Sequence, residues 1–172
     1  MWERAPLWVA AKRVVGTVMV IEYLADHPDC LATLARWHHE EWHHLNPGDT
    51  VEKRQARMRA HLAKRQIPTT FVSLDGDVLV GSACLLADDM HQHRDLTPWL
   101  ASVFVATEQR GRGVGSALVG RVVEEARALG VEALYLYTPD RERFYARMGW
   151  SVLERTEYMG AQVVIMSIKV TA

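Results

Sequence analysis

The chain has 172 residues, of which 49% are hydrophobic and 24% charged, a balance that predicts one globular domain with its own core. The formal net charge of −1 argues against nucleic acid or an anionic membrane as a partner. Two cysteines, Cys30 and Cys84, lie in apolar segments, and no signal-peptide pattern precedes them. Together these features predict reduced thiols and a cytoplasmic protein.

The first elements follow from hydrophobic periodicity. Residues 1–16 show no period and are predicted as an N-terminal extension, either disordered or paired elsewhere, before a single domain over 17–172. Met19–Leu24 predicts a first strand. Asp29–Leu45 predicts a helix, because its apolar residues fall within one arc of the helix surface.

A second helix is predicted after the break "NPGD". Asp49 with Glu52 resembles a capping box, and Pro68 places the end of the helix near Gln66. Its basic residues predict a solvated helix face rather than an anion site: Lys53, Arg54, Arg57, Arg59, Lys64 and Arg65.

The rest of the chain predicts a hairpin, a buried strand, a helix, a strand, a short helix and a final hairpin. The ranges are "TFVSLDGDVLVGSACLL", "TPWLASVFV", Gly113–Leu129, "EALYLYT", Arg141–Met148 capped by Asp140, and two strands around "MG" at 159–160. The resulting order, β-αα-β-β-β-α-β-α-β-β, predicts an α/β fold with a mixed, mostly antiparallel sheet.

The most informative stretch is the glycine loop in "SVFVATEQRGRGVGSALVG". A buried strand runs into glycines at 111, 113 and 115, and a helix begins inside the loop. Glycine lets a ligand approach the backbone closely, and free N–H groups at a helix N-terminus bind anions such as pyrophosphate. The spacing excludes both the P-loop pattern and the dinucleotide-binding pattern G-x-G-x-x-G. It fits R-x-x-G-x-G, formed by Arg110, Gly113 and Gly115.

With this loop, the sequence resembles the GNAT family of N-acetyltransferases. "QRGRGVGSALV" is similar to the family's acetyl-CoA pyrophosphate motif, and "FYARMGW" to its closing motif F-Y-x-x-x-G-F. The predicted order of elements is also that of the family, over roughly residues 19–170. The resemblance implies an acetyl-CoA-dependent N-acetyltransferase that transfers the acetyl group directly to a primary amine, without a metal. Cys84, inside a strand, is read as a packing residue rather than a nucleophile.

The resemblance also implies roles for individual residues. Tyr145 stands where the family often has the tyrosine that protonates the departing thiolate, so it is the predicted general acid. Where the family often has an asparagine, this chain has Thr138, which offers a hydroxyl to the cofactor. The strand and the loop are predicted to hold pantetheine and pyrophosphate through Val103, Phe104, Val105, Arg110, Gly111, Arg112, Gly113, Val114, Gly115 and Ser116.

The acceptor region implied by the family lies between the first two helices and the loop "ADDMHQHRD". Glu41, near the edge of the apolar stripe, is the candidate for the general base. Candidate substrate residues are Trp37, Asp89, His91 and Trp99. This acidic and aromatic set favours a cationic amine on a small molecule or peptide. The identity of the acceptor, and the choice between monomer and homodimer, stay open.

Two other functions compete with acetyl transfer. "HEEWH" matches the zinc-hydrolase pattern H-E-x-x-H through His39, Glu40 and His43. That pattern needs a third ligand and a different fold, and short patterns with wildcards arise by chance, so the glycine loop outweighs it. An acyl-CoA-binding sensor of the same fold, without transfer activity, is the remaining alternative.

Overall fold

The computed structural model describes residues 13–14 and 17–170, and its centre is one eight-stranded sheet. The strands are β1 (Arg13–Val14), β2 (Thr17–Tyr23), β3 (Thr69–Asp75), β4 (Val78–Leu86), β5 (Trp99–Val105), β6 (Ala133–Thr138), β7 (Ser151–Tyr158) and β8 (Ala161–Lys169). Their order in the sheet is β1-β2-β3-β4-β5-β6-β8-β7. Only β5 and β6 are parallel neighbours; every other pair is antiparallel.

Four α-helices connect these strands: α1 (Leu31–Trp42), α2 (Val51–Met58), α3 (Val114–Ala128) and α4 (Glu142–Ala146). The order of elements confirms the predicted mixed α/β fold. Short 3₁₀ turns extend α1 and α2, over His43–Leu45 and Arg59–His61. Within the described residues, no helix is long and apolar enough to cross a membrane.

Each face of the sheet has its own hydrophobic cluster. Helix α3 packs one face, because its buried residues recur every three to four positions, and Leu118 and Phe71 are both fully buried there. Helices α1 and α2 cover the opposite face of β2–β4, where Leu34, Met58 and Val72 meet. Burying one such side chain stabilises the fold by roughly 1.5–3 kcal/mol.

A third cluster covers the α1 face of the sheet beyond β5. It contains Met90 from the loop between β4 and β5, together with Trp99, Tyr158 and Ile165. We call residues 87–98 the 87–98 loop. Because α1 and α2 stop short of β6, this loop and the two helices are separated by a depression over β5 and β6.

Two helix starts differ from the predictions. Thr50, not Asp49, caps α2, since its Oγ1 accepts a hydrogen bond from the backbone N–H of Lys53 at 3.2 Å. Asp140 does not cap α4; instead the Thr138 hydroxyl oxygen accepts from the N–H of Arg141 at 3.0 Å. In addition, α2 ends at Met58, well before the predicted end near residue 66.

The predicted N-terminal extension is only partly described. Arg13–Val14 form β1 and pair antiparallel with β2, whereas residues 1–12 and 15–16 lie outside the described residues. The boundary of the domain at residue 17 therefore stays a prediction.

Candidate functional site

The parallel strands β5 and β6 separate shortly after they begin. Trp99 lies opposite Tyr135, and the Tyr135 N–H donates to the carbonyl of Pro98 at 3.1 Å. No further pair of residues is in register between these strands as described. Their carboxyl-terminal halves instead form the two walls of an opening in the sheet, which leaves backbone N–H and C=O groups available to an extended ligand.

A bulge in β5 shapes one wall of this opening. The pairing with β4 shifts between Ser82 and Cys84, and Ser102 adopts a left-handed backbone with φ of 51°. Gly81 lies beneath the bulge, where an added Cβ would come within 2.8 Å of the Phe104 carbonyl oxygen. The absence of a side chain at Gly81 therefore lets β5 and the start of α3 approach β4 closely.

The opening continues as a cleft of about 1280 Å³. The pocket of a single small ligand usually measures roughly 300–1,000 Å³, so this cleft is larger than such a pocket. We call the end beside the glycine loop the glycine-loop half, and the end between α1, α2 and the 87–98 loop the acceptor half. Predicted site residues that line the cleft are Glu41, Asp89, His91, Val103, Phe104, Val105, Arg110, Gly111, Gly113, Val114, Gly115, Ser116, Thr138 and Tyr145.

The glycine-loop half ends at the N-terminus of α3. Gly111 and Gly113 have φ of 75° and 82°, a left-handed conformation that glycine adopts without strain, and Gly113 is the residue before the first helical turn. The unpaired N–H groups of that turn face the cleft, and the 15-residue helix adds a favourable dipole. Arg110 donates through Nε to the Val105 carbonyl at 2.9 Å and lies over the Phe104 ring.

Tyr145 lies on the α3 side of the opening. It is 8% exposed and packs edge-on against Phe144 and Trp150. Burial raises the pKa of Tyr145 to about 12, so its phenol is protonated at neutral pH, as a general acid requires. The Thr138 hydroxyl also lines the cleft, but its oxygen already accepts the hydrogen bond from Arg141.

Asp89 is the carboxyl held deepest in the acceptor half. The residue keeps partial solvent exposure along the cleft, and the protein around its carboxyl group partly excludes water from it. This burial raises the pKa of Asp89 to about 7, against the opposing effect of the positive Arg54. Glu41 also lines the cleft, but it is exposed because the buried face of α1 ends at His38.

Arg54 is a site residue that the sequence interpretation placed on a solvated face. It is 9% exposed, on the same side of α2 as the buried Met58, and it lines the acceptor half. The spacing of Arg54 and Met58, one helical turn apart, is the signal that identifies it. Arg57 and Arg94 line the cleft as well. The acceptor half therefore carries both positive and negative side chains, whereas the sequence predicted an acidic one.

Buried polar side chains support the acceptor half from below. His38 is 1% exposed, and its Nε2 lies 2.8 Å from the Ser82 hydroxyl; burial lowers the pKa of His38 to about 3, so the ring is neutral. Burial likewise raises the pKa of Cys84 to about 11. A protonated thiol that accepts a hydrogen bond from Thr70 at 3.1 Å supports a packing role rather than a nucleophilic one.

Three predicted residues do not line the cleft. Trp99 is fully buried, and its indole N–H donates to the Leu96 carbonyl at 2.7 Å, so it supports the 87–98 loop instead. Trp37 packs behind Phe104, with ring centroids 5.2 Å apart. Arg112 points along the surface, where it donates to the Gln109 side chain.

The HEEWH stretch forms the end of α1 and the first residue of the 3₁₀ turn that follows it. His39 and His43 have ring centroids 5.2 Å apart, and His43 Nδ1 lies 2.9 Å from the His39 carbonyl oxygen. Among the described residues, no group of three or more histidine, cysteine or acidic side chains is placed to hold a metal ion. Glu40 lies 4.0 Å from Arg36 in a surface ion pair.

A comparison with protein families identifies the chain. Residues 25–150 match the model described as the acetyltransferase (GNAT) family. The chain belongs to the GNAT acetyltransferase family. This match confirms the resemblance drawn from the glycine loop and the closing motif. No curated protein matches the sequence.

Solved structures share the fold of this GNAT protein at low sequence identity. An acetyltransferase of the GNAT family from Streptococcus pneumoniae is 16% identical, with a TM-score of 0.66 over 88% of this chain and 98% of that one. The yncA protein of Salmonella typhimurium, with its cofactor acetyl-CoA, is 20% identical, with a TM-score of 0.65 over 88% and 94%. An aminoglycoside 6'-N-acetyltransferase complexed with coenzyme A is 15% identical, with a TM-score of 0.67 over 88% and 97%.

Proposed function

We propose that this GNAT protein transfers the acetyl group of acetyl-CoA directly to a primary amine of a small molecule or peptide. The observation that carries the proposal is the opening between β5 and β6, which runs from the glycine loop to the acceptor half. Two of the similar structures hold acetyl-CoA or coenzyme A. A cleft with two ends lets donor and acceptor bind together, which favours direct transfer.

The donor binds mainly to the backbone. The free edge of β5 at Val103–Val105 hydrogen-bonds the pantetheine arm, and the N–H groups from Gly111 to Ser116 bind the pyrophosphate. This arrangement points the thioester at the bulge around Ser102. A backbone N–H at Phe104 or Val105 then stabilises the oxyanion that forms at the acetyl carbonyl oxygen when the amine attacks the carbon.

Proton transfers complete the reaction. Amines are mostly protonated near neutral pH, so a base removes a proton before the nitrogen attacks the thioester carbonyl. Asp89 fits this role better than the exposed Glu41, because its pKa of about 7 leaves a large fraction of both protonation states. When the C–S bond breaks, Tyr145 donates its proton to the departing sulfur, and the second proton that the nitrogen loses as the amide forms restores the Tyr145 phenol. Thiolate is a fair leaving group, so this acid contributes without being indispensable.

Ligand binding and turnover test the proposal separately. Acetyl-CoA at about 100 times its dissociation constant stabilises the folded chain by about 2.7 kcal/mol, which raises the melting temperature by roughly 5–10 °C. Turnover is measured as thiol release with a panel of amines. No thermal shift at millimolar acetyl-CoA would refute donor binding. A shift without thiol release from any amine would favour the acyl-CoA sensor.

Substitution of the proposed acid separates catalysis from binding. Tyr145→Phe keeps the packing of the ring but removes the proton, so we expect the acetyl-CoA thermal shift to persist and kcat to fall by about 10²-fold. Phe144→Leu, in the neighbouring ring, is the control for packing damage. Unchanged kcat in Tyr145→Phe would remove Tyr145 from the mechanism.

A further inference from the structure

The charges around α2 leave one cation only partly neutralised. Arg57 forms a two-pronged pair with Asp49, with both N–O distances at 2.9 Å. Arg54 reaches the same carboxylate through Nε at 3.1 Å and Nη2 at 3.0 Å. One carboxylate therefore serves two guanidinium groups, which leaves a local excess of positive charge.

The excess positive charge is least screened by water at Arg54. The Arg57 side chain is 58% exposed, so water screens its charge, whereas the Arg54 side chain is 11% exposed. The positive charge of Arg54 opposes the rise in the pKa of Asp89 and Tyr137, and it adds to the lowering of the pKa of His38 by burial. These groups come from α1, the 87–98 loop and β6, and all line the acceptor half, so the guanidinium lies between its walls.

Asp89 provides the opposite charge in the same half of the cleft. Among the described residues, it takes part in no ion pair. Its neighbours include the phenols of Tyr137 and Tyr158, whose pKa values burial raises, so both stay neutral. A partly exposed carboxyl without an ion pair and a guanidinium with excess charge thus line the same half of the cleft.

We infer that the acceptor is a small amine with an anionic group near the reactive nitrogen, as in an α-amino acid. This inference rests on the proposed function. Arg54 binds the carboxylate, and Asp89 receives the ammonium group and then its proton. Asp49 engages the Nε–Nη2 edge of Arg54, so the substrate carboxylate would bind the Nη1–Nη2 edge, which also donates two parallel hydrogen bonds. A polycation such as an aminoglycoside would instead bring further ammonium groups against Arg54, and like charges in an enclosed site are unfavourable.

Matched acceptors test the inference on the wild-type chain. Thiol release is measured with acetyl-CoA and α-amino acids, each paired with its α-carboxamide, which keeps the amine and side chain but removes the negative charge. Diamines and aminoglycosides complete the panel. We expect kcat/KM for the preferred amino acid to exceed that of its carboxamide by about 10- to 100-fold.

Substitutions of Arg54 test whether this residue causes the preference for the amino acid over its carboxamide. Arg54→Gln should raise KM for the amino acid by about 10- to 100-fold and leave the carboxamide nearly unchanged, so the preference disappears. Arg54→Lys should restore part of it. Arg59→Gln is the matched control, because it removes an exposed positive charge from the 3₁₀ turn after α2, outside the cleft, and should keep the preference.

The outcomes distinguish this inference from the proposed function. Equal or better turnover of carboxamides, diamines or aminoglycosides would overturn the anionic acceptor and leave acetyl transfer intact. A preference for the amino acid that survives Arg54→Gln would overturn the role of Arg54. If no amine of any class supports thiol release, both the proposed function and this inference are overturned. If Arg54→Gln fails to fold, the wild-type comparison alone decides.

Discussion

Replacement of Asp89 by asparagine should make the folded protein more stable at alkaline pH. Its carboxyl ionises near pH 7 in the folded chain, because burial raises its pKa from 3.8. Between these pH values, the folded state holds a proton that the unfolded state has lost. The free energy of unfolding therefore falls as the pH rises through this window, and the loss is complete above about pH 7.

The size of this effect follows from the pKa difference. At 1.36 kcal/mol for each pKa unit, ionised Asp89 costs the fold up to about 4 kcal/mol, and the open cleft reduces this figure. Between about pH 5 and about pH 8.5, the wild type should lose about 1–2.5 kcal/mol that Asp89→Asn keeps. Asn resembles the protonated acid in shape, so the two proteins should converge in acid.

Urea unfolding at both pH values measures this difference, with fluorescence and circular dichroism as independent probes. Asp88→Asn is the matched control, since it removes the adjacent, exposed carboxyl from the same loop and should keep the wild-type pH dependence. Other titrating groups are common to all three proteins and cancel in the comparison. Parallel stability curves for the wild type and Asp89→Asn would refute the burial of this carboxyl.

Two further predictions concern the bulge and the rate. Gly81→Ala places a Cβ 2.8 Å from the Phe104 carbonyl oxygen, so we expect a loss of about 1–3 kcal/mol and weaker acetyl-CoA binding. In contrast, Gly120→Ala, with no atom within 4 Å of its Cβ, should be neutral or stabilising; equal losses would contradict the close contact. The kcat/KM of the wild type should rise as the pH passes about 7, and Asp89→Asn should lose that step; an identical profile in the variant would exclude Asp89 as the base.

The glycine-loop half could be predicted from the sequence because it depends on the backbone. Gly111 and Gly113 are needed for their positive φ, and the N–H groups proposed to bind the pyrophosphate belong to the helix that follows directly. Such requirements are local and leave a pattern of glycines at fixed spacing. The β5 edge could be placed for the same reason, as the strand before the loop. What the pattern did not reveal is the bulge at Ser102, since a serine in a left-handed conformation has no sequence signature.

The acceptor half could not be predicted in this way, because its side chains come from segments distant in the sequence. Arg54 was read as solvated since α2 carries many basic residues, and only the packing of Met58 on the sheet shows which one points inward. Trp99 was placed at the cleft because it opens β5, yet β6 and the 87–98 loop enclose it. Periodicity indicates which face of an element is buried, but it does not say what lies on the other side of the contact.

The contrast between two aspartates near Arg54 argues that Asp89 is kept for function. Asp49 is held by Arg57 and Arg54, and its pKa falls, chiefly through the hydrogen bond from Arg57. Its ionised form therefore stabilises the fold at neutral pH. The pKa of Asp89 shifts in the opposite direction. Because it rises, the ionised form of Asp89 destabilises the fold at the pH where a base must act. Replacement by asparagine would stabilise the fold if Asp89 had only a structural role, so the presence of this carboxyl beside the cleft supports its proposed role as the base.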